Sequence, residues 1–89
     1  MTVTQSIIFS KEFYDTARAR RWLSRHHYVP IKRVHETTRY LRYRIREVDE
    51  RYEYRIKPFT EGVKAVIGFY HINYMINYFL LQIYKYVRQ

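Results

Sequence analysis

The sequence RYLRYRIREV, residues 39–48, carries the clearest structural pattern in this chain. Apolar and basic side chains alternate along it with a period of two, the period at which the side chains of a β-strand change faces. The predicted apolar face carries Leu41, Tyr43 and Ile45, and the predicted basic face carries Arg42, Arg44 and Arg46. We expect the apolar face to cover a core and the basic face to meet solvent or a partner.

A second alternating run follows in residues 51–57. Its apolar positions are Tyr52, Tyr54 and Ile56, and its charged positions are Arg51, Glu53, Arg55 and Lys57. The acidic cluster Glu47, Asp49 and Glu50 between the two runs predicts a hairpin turn that joins adjacent strands. A further turn at residues 58–62 precedes a strand at residues 63–69, with Val63, Ala65, Ile67 and Phe69 facing inward. Together with a strand at residues 31–35, after Pro30, this pattern predicts an antiparallel meander.

The N-terminal part of the chain predicts a short buried strand at residues 6–9 and a helix over residues 11–25. Ser10 is the expected N-cap, because its hydroxyl can accept hydrogen bonds from the free N–H groups of the first turn. Phe9 and Tyr14 stand at the positions of a hydrophobic staple. The helical period places Phe13, Thr16, Ala17, Ala19 and Leu23 on a packing face and Lys11, Arg18, Arg21, Trp22 and Arg25 on a cationic face.

Residues 71–89 differ in composition from the rest of the chain, since they contain no acidic residue and are rich in Ile, Tyr and Asn. Steps of three and four predict an amphipathic helix with the apolar stripe Ile72, Met75, Ile76, Phe79, Leu80, Ile83 and Val87. The 20 uncharged residues from 65 to 84 match the length of a membrane span. However, a span would place His71, Asn73, Asn77 and Gln82 in hydrocarbon. The stripe therefore favours an anchor on a partner or a membrane surface, with a cover for the chain's own sheet as the alternative.

The predicted fold class is α+β: a short strand, a helix, an antiparallel meander of three to four strands and a C-terminal amphipathic helix. The length of 89 residues corresponds to about one domain. We divide the chain into a small α+β domain, residues 1–70, and a Tyr-rich amphipathic helical extension, residues 71–89.

The chain is strongly basic, with 17 Lys and Arg residues against eight Asp and Glu residues and a net charge of +9. Such a surface attracts nucleic acid, an anionic membrane or an acidic protein, and the net charge does not choose among them. The residues predicted to bind a polyanion or an acidic partner are Arg42, Arg44, Arg46, Arg55, Lys57, Arg18, Arg21 and Arg25. If the two alternating strands are adjacent, the first five of these residues project from one side of the sheet, with Trp22 and tyrosines available for stacking. A plainly solvated basic face is the alternative.

No pattern in the sequence is typical of catalysis or of a bound cofactor. The chain has no Cys, which excludes a thiolate nucleophile and a disulfide framework. Its four His residues lack HExxH spacing, and it has neither a Gly-rich phosphate loop nor a nucleophile elbow. We therefore expect a non-enzymatic protein with no cofactor and no metal. The first ten residues do not resemble a signal peptide.

A set of short motifs within residues 7–69 resembles a small basic domain of tailed-phage and large double-stranded DNA virus gene products. The motifs are Phe9-Ser10, Ala17, Trp22-Leu23, Thr37, Arg42-Tyr43-Arg44, Gly62-Val63 and Val66-Ile67-Gly68-Phe69. The resemblance implies a virion location and a structural role, as a minor capsid protein that bridges or cements larger capsid subunits. The alternatives are a basic nucleic-acid-binding protein that uses an Arg-rich sheet face and a virion protein on a membrane surface. Without the resemblance, the expected location is intracellular.

Overall fold

The computed structural model describes residues 2–70, and these form one helix and one five-stranded antiparallel sheet. The elements in chain order are β1 Thr2–Ser10, α1 Thr16–Arg25, β2 His35–Glu36, β3 Tyr40–Arg44, β4 Tyr52–Thr60 and β5 Val63–Tyr70. Their order across the sheet is β2-β3-β1-β5-β4. The predicted helix and antiparallel strands are thus confirmed, whereas the predicted C-terminal helix lies outside the described residues.

Strand β1 lies in the middle of the sheet, between the two strands with the most apolar inner faces. Phe9 pairs with Leu41 on one side and Val63 on the other. Ile7 pairs in the same way with Tyr43 and Ala65. All six of these side chains are buried, and the helix covers them with Ala19, Trp22 and Leu23. Of the inner positions predicted from the alternation of β3 and β5, Leu41, Tyr43, Val63 and Ala65 therefore belong to the core, and Ile45 and Ile67 are partly buried and pack against it.

Helix α1 begins at Thr16, and the prediction that it begins after Ser10 is wrong. Asp15 is the N-cap, and its Oδ1 accepts a hydrogen bond of 2.7 Å from the backbone N–H of Arg18. A carboxylate is a stronger acceptor than a hydroxyl, which favours this later start. Ser10 instead ends β1, where its carbonyl accepts from the N–H of Tyr14 at 3.0 Å. The rings of Phe9 and Tyr14 do contact each other, 4.9 Å apart at their centroids.

Trp22 belongs to the core, and its predicted place on the cationic helix face is wrong. The side chain is 4% exposed and packs edge-on against Phe9 at 5.5 Å between ring centroids. On its other side, the His26 ring stacks on the indole at 3.8 Å. Burying an indole removes a large apolar area from water, whereas the predicted packing residues Thr16 and Ala17 offer little and remain exposed. Trp22 is therefore not available for base stacking.

Strands β3 and β4 do not form the predicted hairpin, because β1 and β5 lie between them. The three strand spacings amount to about 14 Å, which the connecting residues 45–51 can cross when extended. This order lets β3 and β5 both pair with β1, so that Ile7 and Phe9 are enclosed on both sides. The predicted meander is therefore wrong in its strand order.

Two connections between consecutive strands remain local. The predicted hairpin after Pro58 is present, and β4 and β5 are joined at Glu61 and Gly62, where Gly62 has a φ of 77°. The predicted strand at residues 31–35 is reduced to the two residues of β2, which pair with β3. Residues 31–34 instead belong to the loop that follows α1, and only one backbone hydrogen bond of this loop, from Ile31 N–H to the Arg44 carbonyl at 2.9 Å, reaches β3.

Candidate polyanion-binding surfaces

The sheet has one face under α1 and a second face directed away from the helix, which we call the distal face. The strand register brings two cations together on it. Ile8 pairs with Arg42 of β3 on one side and with Lys64 of β5 on the other, so the three side chains form a row across the sheet. Arg44, paired with Ser6, lies on the same face one row away.

Arg42 is held in place by buried polar groups beneath it. Its Nε donates to Ser6 Oγ at 3.1 Å and its Nη2 donates to Gln5 Oε1 at 3.0 Å. Ser6 Oγ also donates to Gln5 Oε1 at 2.7 Å, and Gln5 Nε2 donates to the Arg46 carbonyl at 3.0 Å. A guanidinium has five N–H donors, so two internal bonds leave three for an external acceptor. The network positions the cation without neutralising it.

This network exists because β1 contains a β-bulge. The register with β5 shifts between Thr4 and Ser6, and Gln5 is the extra residue. The Gln5 carbonyl accepts hydrogen bonds from the N–H groups of Ile45 and Arg46, at 2.8 and 3.1 Å. Gln5 is 1% exposed and Ser6 is fully buried. Sequence reasoning missed both residues, because nothing in the local sequence marks the bulge.

Lys64 is a further residue that sequence reasoning missed. It lies between the buried residues Val63 and Ala65, and its Nζ lies 5.7 Å from the ring centroid of Tyr40. The alternation of β5 already predicts that Lys64 faces away from the core. What the alternation does not predict is that β1 brings Lys64 into the same row as Arg42.

Arg55 and Lys57 lie on the other face of the sheet, so the prediction that five cations share one side is wrong. Arg55 pairs with Ile67 and Lys57 pairs with Ala65, which places both cations on the helix side. Arg55 is also partly compensated, since its Nη2 lies 3.4 Å from Glu53 Oε1. Arg46 follows the end of β3 and is exposed. The cause is that β3 and β4 are not neighbours in the sheet, so the charged residues of one strand need not lie on the same face as those of the other.

The helix carries the remaining predicted cations, Arg18, Arg21 and Arg25, and all three are exposed. Arg18 folds back over the N-terminal turn, where its Nη1 donates to the Phe13 carbonyl at 2.8 Å and its guanidinium lies 5.3 Å from the Tyr14 ring centroid. Because α1 packs on one face of the sheet with Ala19, Trp22 and Leu23, its outer surface and the distal face point in opposite directions.

Internal ion pairs account for only a few of the cations. Within residues 2–70 the pairs are Lys11–Glu36 at 3.0 Å, Lys32–Glu47 at 3.0 Å, Arg51–Asp49 at 2.7 Å and Arg55–Glu53 at 3.4 Å. Hydrogen bonds from Arg51 lower the pKa of Asp49 to about 2. All eight acidic side chains of the chain lie in this described part. Among these residues, the cations without a carboxylate partner include Arg42, Arg44, Arg46, Lys57, Arg18, Arg21 and Arg25.

Comparison with known proteins found no match to this chain among protein-family models, curated proteins or solved structures. Residues 2–70 contain no group of three or more His, Asp or Glu side chains that could hold a metal ion. In the same part of the chain, no helix has both the length and the apolar character to cross a membrane. The predicted apolar anchor, with Ile72, Met75, Ile76, Phe79, Leu80, Ile83 and Val87, lies outside the described residues and stays a prediction.

Proposed function

We propose that this chain is a non-enzymatic structural protein of a virion, a minor capsid protein that bridges larger capsid subunits. The observation that carries the proposal is the presence of cations on two opposite surfaces of the described domain. Arg42, Arg44 and Lys64 lie on the distal face, and Arg21 and Arg25 lie on the outer surface of α1. A bridging protein needs docking surfaces that point apart, and this distribution meets that need.

The charge balance supports acidic neighbours on both surfaces. Four of the eight carboxylates already pair with Lys or Arg, and the Asp15 carboxylate caps α1. No acidic residue follows Glu61, so residues 71–89 have no acidic side chain to add. Arginine binds carboxylates through two parallel hydrogen bonds and is enriched at protein interfaces. Acidic surfaces of larger subunits would supply the missing counter-charges.

The C-terminal part of the chain is proposed to act as an apolar anchor in the form of an amphipathic helix. The support is the stripe of apolar residues at steps of three and four between residues 72 and 87, which suits a hydrophobic groove. The virion location itself rests on the motifs that resemble phage and large-virus gene products. An anchor combined with two cationic docking surfaces fits a protein that cements an assembly.

The anchor is tested by a matched pair of full-length variants expressed with the capsid proteins of the virus that encodes the chain. Phe79→Glu places a charge in the apolar stripe, whereas Asn77→Glu places the same charge on the polar side. We expect Phe79→Glu to reduce co-purification with particles at least tenfold and Asn77→Glu to leave it nearly unchanged. Equal incorporation of both variants would contradict the anchor, and absence of the unmodified chain from purified particles would contradict the virion assignment.

The two-sided docking is tested by cross-linking in assembled particles with a short lysine-reactive reagent. Lys64 lies on the distal face and Lys57 lies on the helix side of the neighbouring strand, so the two ammonium groups report on opposite surfaces. We expect each lysine to link to a different capsid subunit or to a different region of one subunit. Links from only one of the two lysines would contradict bridging.

A second candidate is binding of nucleic acid by the distal face alone. The observation that favours it is the row of Arg42 and Lys64 with Tyr40 beside it, because a cationic surface with an adjacent aromatic ring suits a polyanion with bases. Affinity for duplex DNA would then fall steeply with salt. The double variant Arg42→Gln/Lys64→Gln should flatten this dependence by about two units of slope, while Arg21→Gln/Arg25→Gln should not. Equal effects of the two variants, or undetectable binding, would contradict this function.

A further inference from the structure

The loop that follows α1 carries exposed aliphatic side chains at its tip, residues 29–31. Val29 is 77% exposed and Ile31 is 48% exposed. Pro30 between them is half-buried. The three residues are consecutive, so their side chains form one apolar patch. A contiguous exposed patch marks a contact with a protein or a membrane, whereas single exposed apolar residues need no explanation.

Contacts on both sides of the tip hold it in its exposed position. Tyr28 before the tip and Val34 after it both pack against the core cluster. The N–H of Tyr28 donates to the Leu23 carbonyl of α1 at 2.9 Å. The N–H of Ile31 donates to the Arg44 carbonyl of β3, also at 2.9 Å. The exposure of the tip is therefore set by the fold of the domain.

The backbone of the tip has few hydrogen-bond donors left for a partner. Residues 28–31 have three N–H groups, because Pro30 has none. Two of the three, those of Tyr28 and Ile31, donate within the domain. A free N–H group is costly in hydrocarbon, where nothing accepts its hydrogen bond, whereas the surface of a protein partner can accept it. The tip therefore suits a lipid surface better than a protein partner.

Cations lie beside the tip. A cleft of about 580 Å³ between the C-terminal half of α1 and the loop is lined by residues of the tip together with Arg20, Lys32 and Arg33. Lys32 pairs with Glu47 at 3.0 Å, and the other two cations have no carboxylate partner within residues 2–70. Residues 16–35 contain six Lys and Arg residues and no acidic residue. The charge around the tip is thus complementary to an anionic surface.

We propose that the tip of this loop inserts into the surface of an anionic lipid bilayer. Val29 and Ile31 enter the boundary between head groups and acyl chains, and Arg20 and Arg33 bind the anionic head groups. The buried apolar area and the electrostatic attraction both contribute to such binding. The contact uses none of the cations assigned to the two bridging surfaces, so its failure would leave the bridging proposal standing.

The insertion is tested with a fluorescent label on the full-length protein, which has no Cys of its own. Val29→Cys places an NBD label at the tip, and Ile56→Cys places the same label on β4, at a residue that is 62% exposed. Vesicles of phosphatidylcholine with about one-third phosphatidylserine supply the anionic surface. We expect the emission of the label at residue 29 to rise at least threefold, because NBD brightens when it leaves water, and the label at residue 56 to stay unchanged. Pure phosphatidylcholine vesicles should give a much smaller rise.

Three outcomes of this measurement would overturn the proposal. They are equal responses of the two labels, an unchanged label at residue 29, and equal responses of that label to neutral and anionic vesicles. If the label at residue 29 responds to assembled capsid proteins and not to vesicles, the loop contacts a protein and the proposal is likewise wrong.

Two matched pairs of full-length variants separate the loop from the rest of the chain, residues 71–89 included. Ile31→Ser should weaken partitioning onto the anionic vesicles at least fivefold, whereas Ile56→Ser should leave it unchanged. Both isoleucines are exposed, so neither substitution should unfold the domain. Arg33→Gln should weaken partitioning about fivefold, the contribution of one cation near an anionic surface, whereas Arg39→Gln, at the other end of β3, should change it less than twofold. Equal effects within either pair would contradict insertion of the loop.

Discussion

Strands β3 and β4 have the same kind of sequence, with apolar and charged residues in alternation, and yet they occupy very different environments. The apolar residues of β3 lie under the helix, where Leu41 is 1% and Tyr43 is 2% exposed. The alternating apolar residues of β4, Tyr52, Tyr54 and Ile56, lie on the distal face at the edge of the sheet, where Ile56 is 62% exposed. The difference arises because β3 pairs with the central strand β1, whereas β4 pairs only with β5.

This comparison shows that alternation determines the local conformation of a strand but not the face that the core covers. In β4, the charged side faces the helix side of the sheet, and Arg55 and Lys57 remain exposed there. Both cations can remain exposed because β4 lies at the edge of the sheet. Charged residues on an edge strand also hinder pairing with another chain, and Pro58 within β4 acts in the same direction.

The largest expected difference between the two strands is in the effect of truncating one apolar side chain. Leu41→Ala leaves a cavity in the core and should lower the free energy of unfolding by about 2 to 5 kcal/mol. Ile56→Ala removes an exposed side chain and should change it by roughly 0.5 kcal/mol. Urea unfolding followed by tryptophan fluorescence measures both values. Similar losses for the two variants would mean that β4 is covered in solution as well as β3.

A methyl group at Gly68 tests how β4 is seated on β5. A Cβ atom there would lie 2.8 Å from Tyr54 Cε1 and 3.2 Å from Val3 Cγ2, which is too close. Gly68→Ala should therefore destabilise the fold by roughly 1 to 3 kcal/mol through overpacking. The control is the same substitution in a Tyr54→Ala background, where the cost should be much smaller. An unchanged cost in that background would assign the strain to Val3 instead.

Removing one hydroxyl from each strand should have opposite effects on stability. Tyr43→Phe removes a buried hydroxyl whose proton has no acceptor among the described residues and should raise the free energy of unfolding by about 1 kcal/mol. Tyr54→Phe should lower it by about 1 kcal/mol, because the Tyr54 hydroxyl accepts from the Asp49 N–H at 2.8 Å and donates to the Asp49 carbonyl at 3.2 Å. Thermal or urea unfolding gives both signs. A destabilised Tyr43→Phe variant would show that this hydroxyl has a partner in solution.

The smallest expected effect is a pH dependence of the connection between β3 and β4. The hydrogen bonds from Arg51 lower the pKa of Asp49 from 3.8 to about 2 in the folded chain. A carboxylate with a lowered pKa contributes stability above pH 4, and that contribution is lost as the pH falls from 4 towards 2. Asp49→Asn should flatten the acid limb of the stability curve in this range. An unaltered limb would mean that the pair with Arg51 does not persist in solution.

The features of the fold that the sequence predicted depend on residues close together in the chain, and the features that it did not predict depend on residues far apart. Leu41 and Tyr43 were predicted to face inward because alternation is a local property, and Val63 and Ala65 were predicted in the same way. The position of Trp22 was not predicted, because the helical period alone does not decide whether the packing face of α1 is centred towards Ala17 or towards Trp22, and burial of the large indole against the strands decides it. The order of the strands was not predicted either, since it depends on pairings between residues far apart in the chain.

The candidate binding sites also divide into features that the local sequence predicts and features that depend on residues far apart in the chain. The predicted cations of α1 are exposed and those of β3, Arg42 and Arg44, are half-buried. The prediction that Arg42 shares a face with Arg55 is wrong, because the predicted hairpin does not form. The distal row of Arg42 and Lys64 and the bulge at Gln5 required the register of β1 with both of its neighbours. The exposed tip of the loop after α1 depends on the core contacts of Tyr28 and Val34, and no local motif marks it.

By itself, the sequence determined the conformation of most segments, the identity of the inner residues of β3 and β5 and a charge that the chain's own acids do not balance. These properties depend on neighbouring residues or on composition. The tertiary structure decided which strands are central, which cations share a surface and that the Tyr43 hydroxyl lies buried. The physical reason is that the free energy of pairing two strands depends on how much apolar area the whole arrangement encloses. That area is defined only when strands that are distant in the sequence have come together.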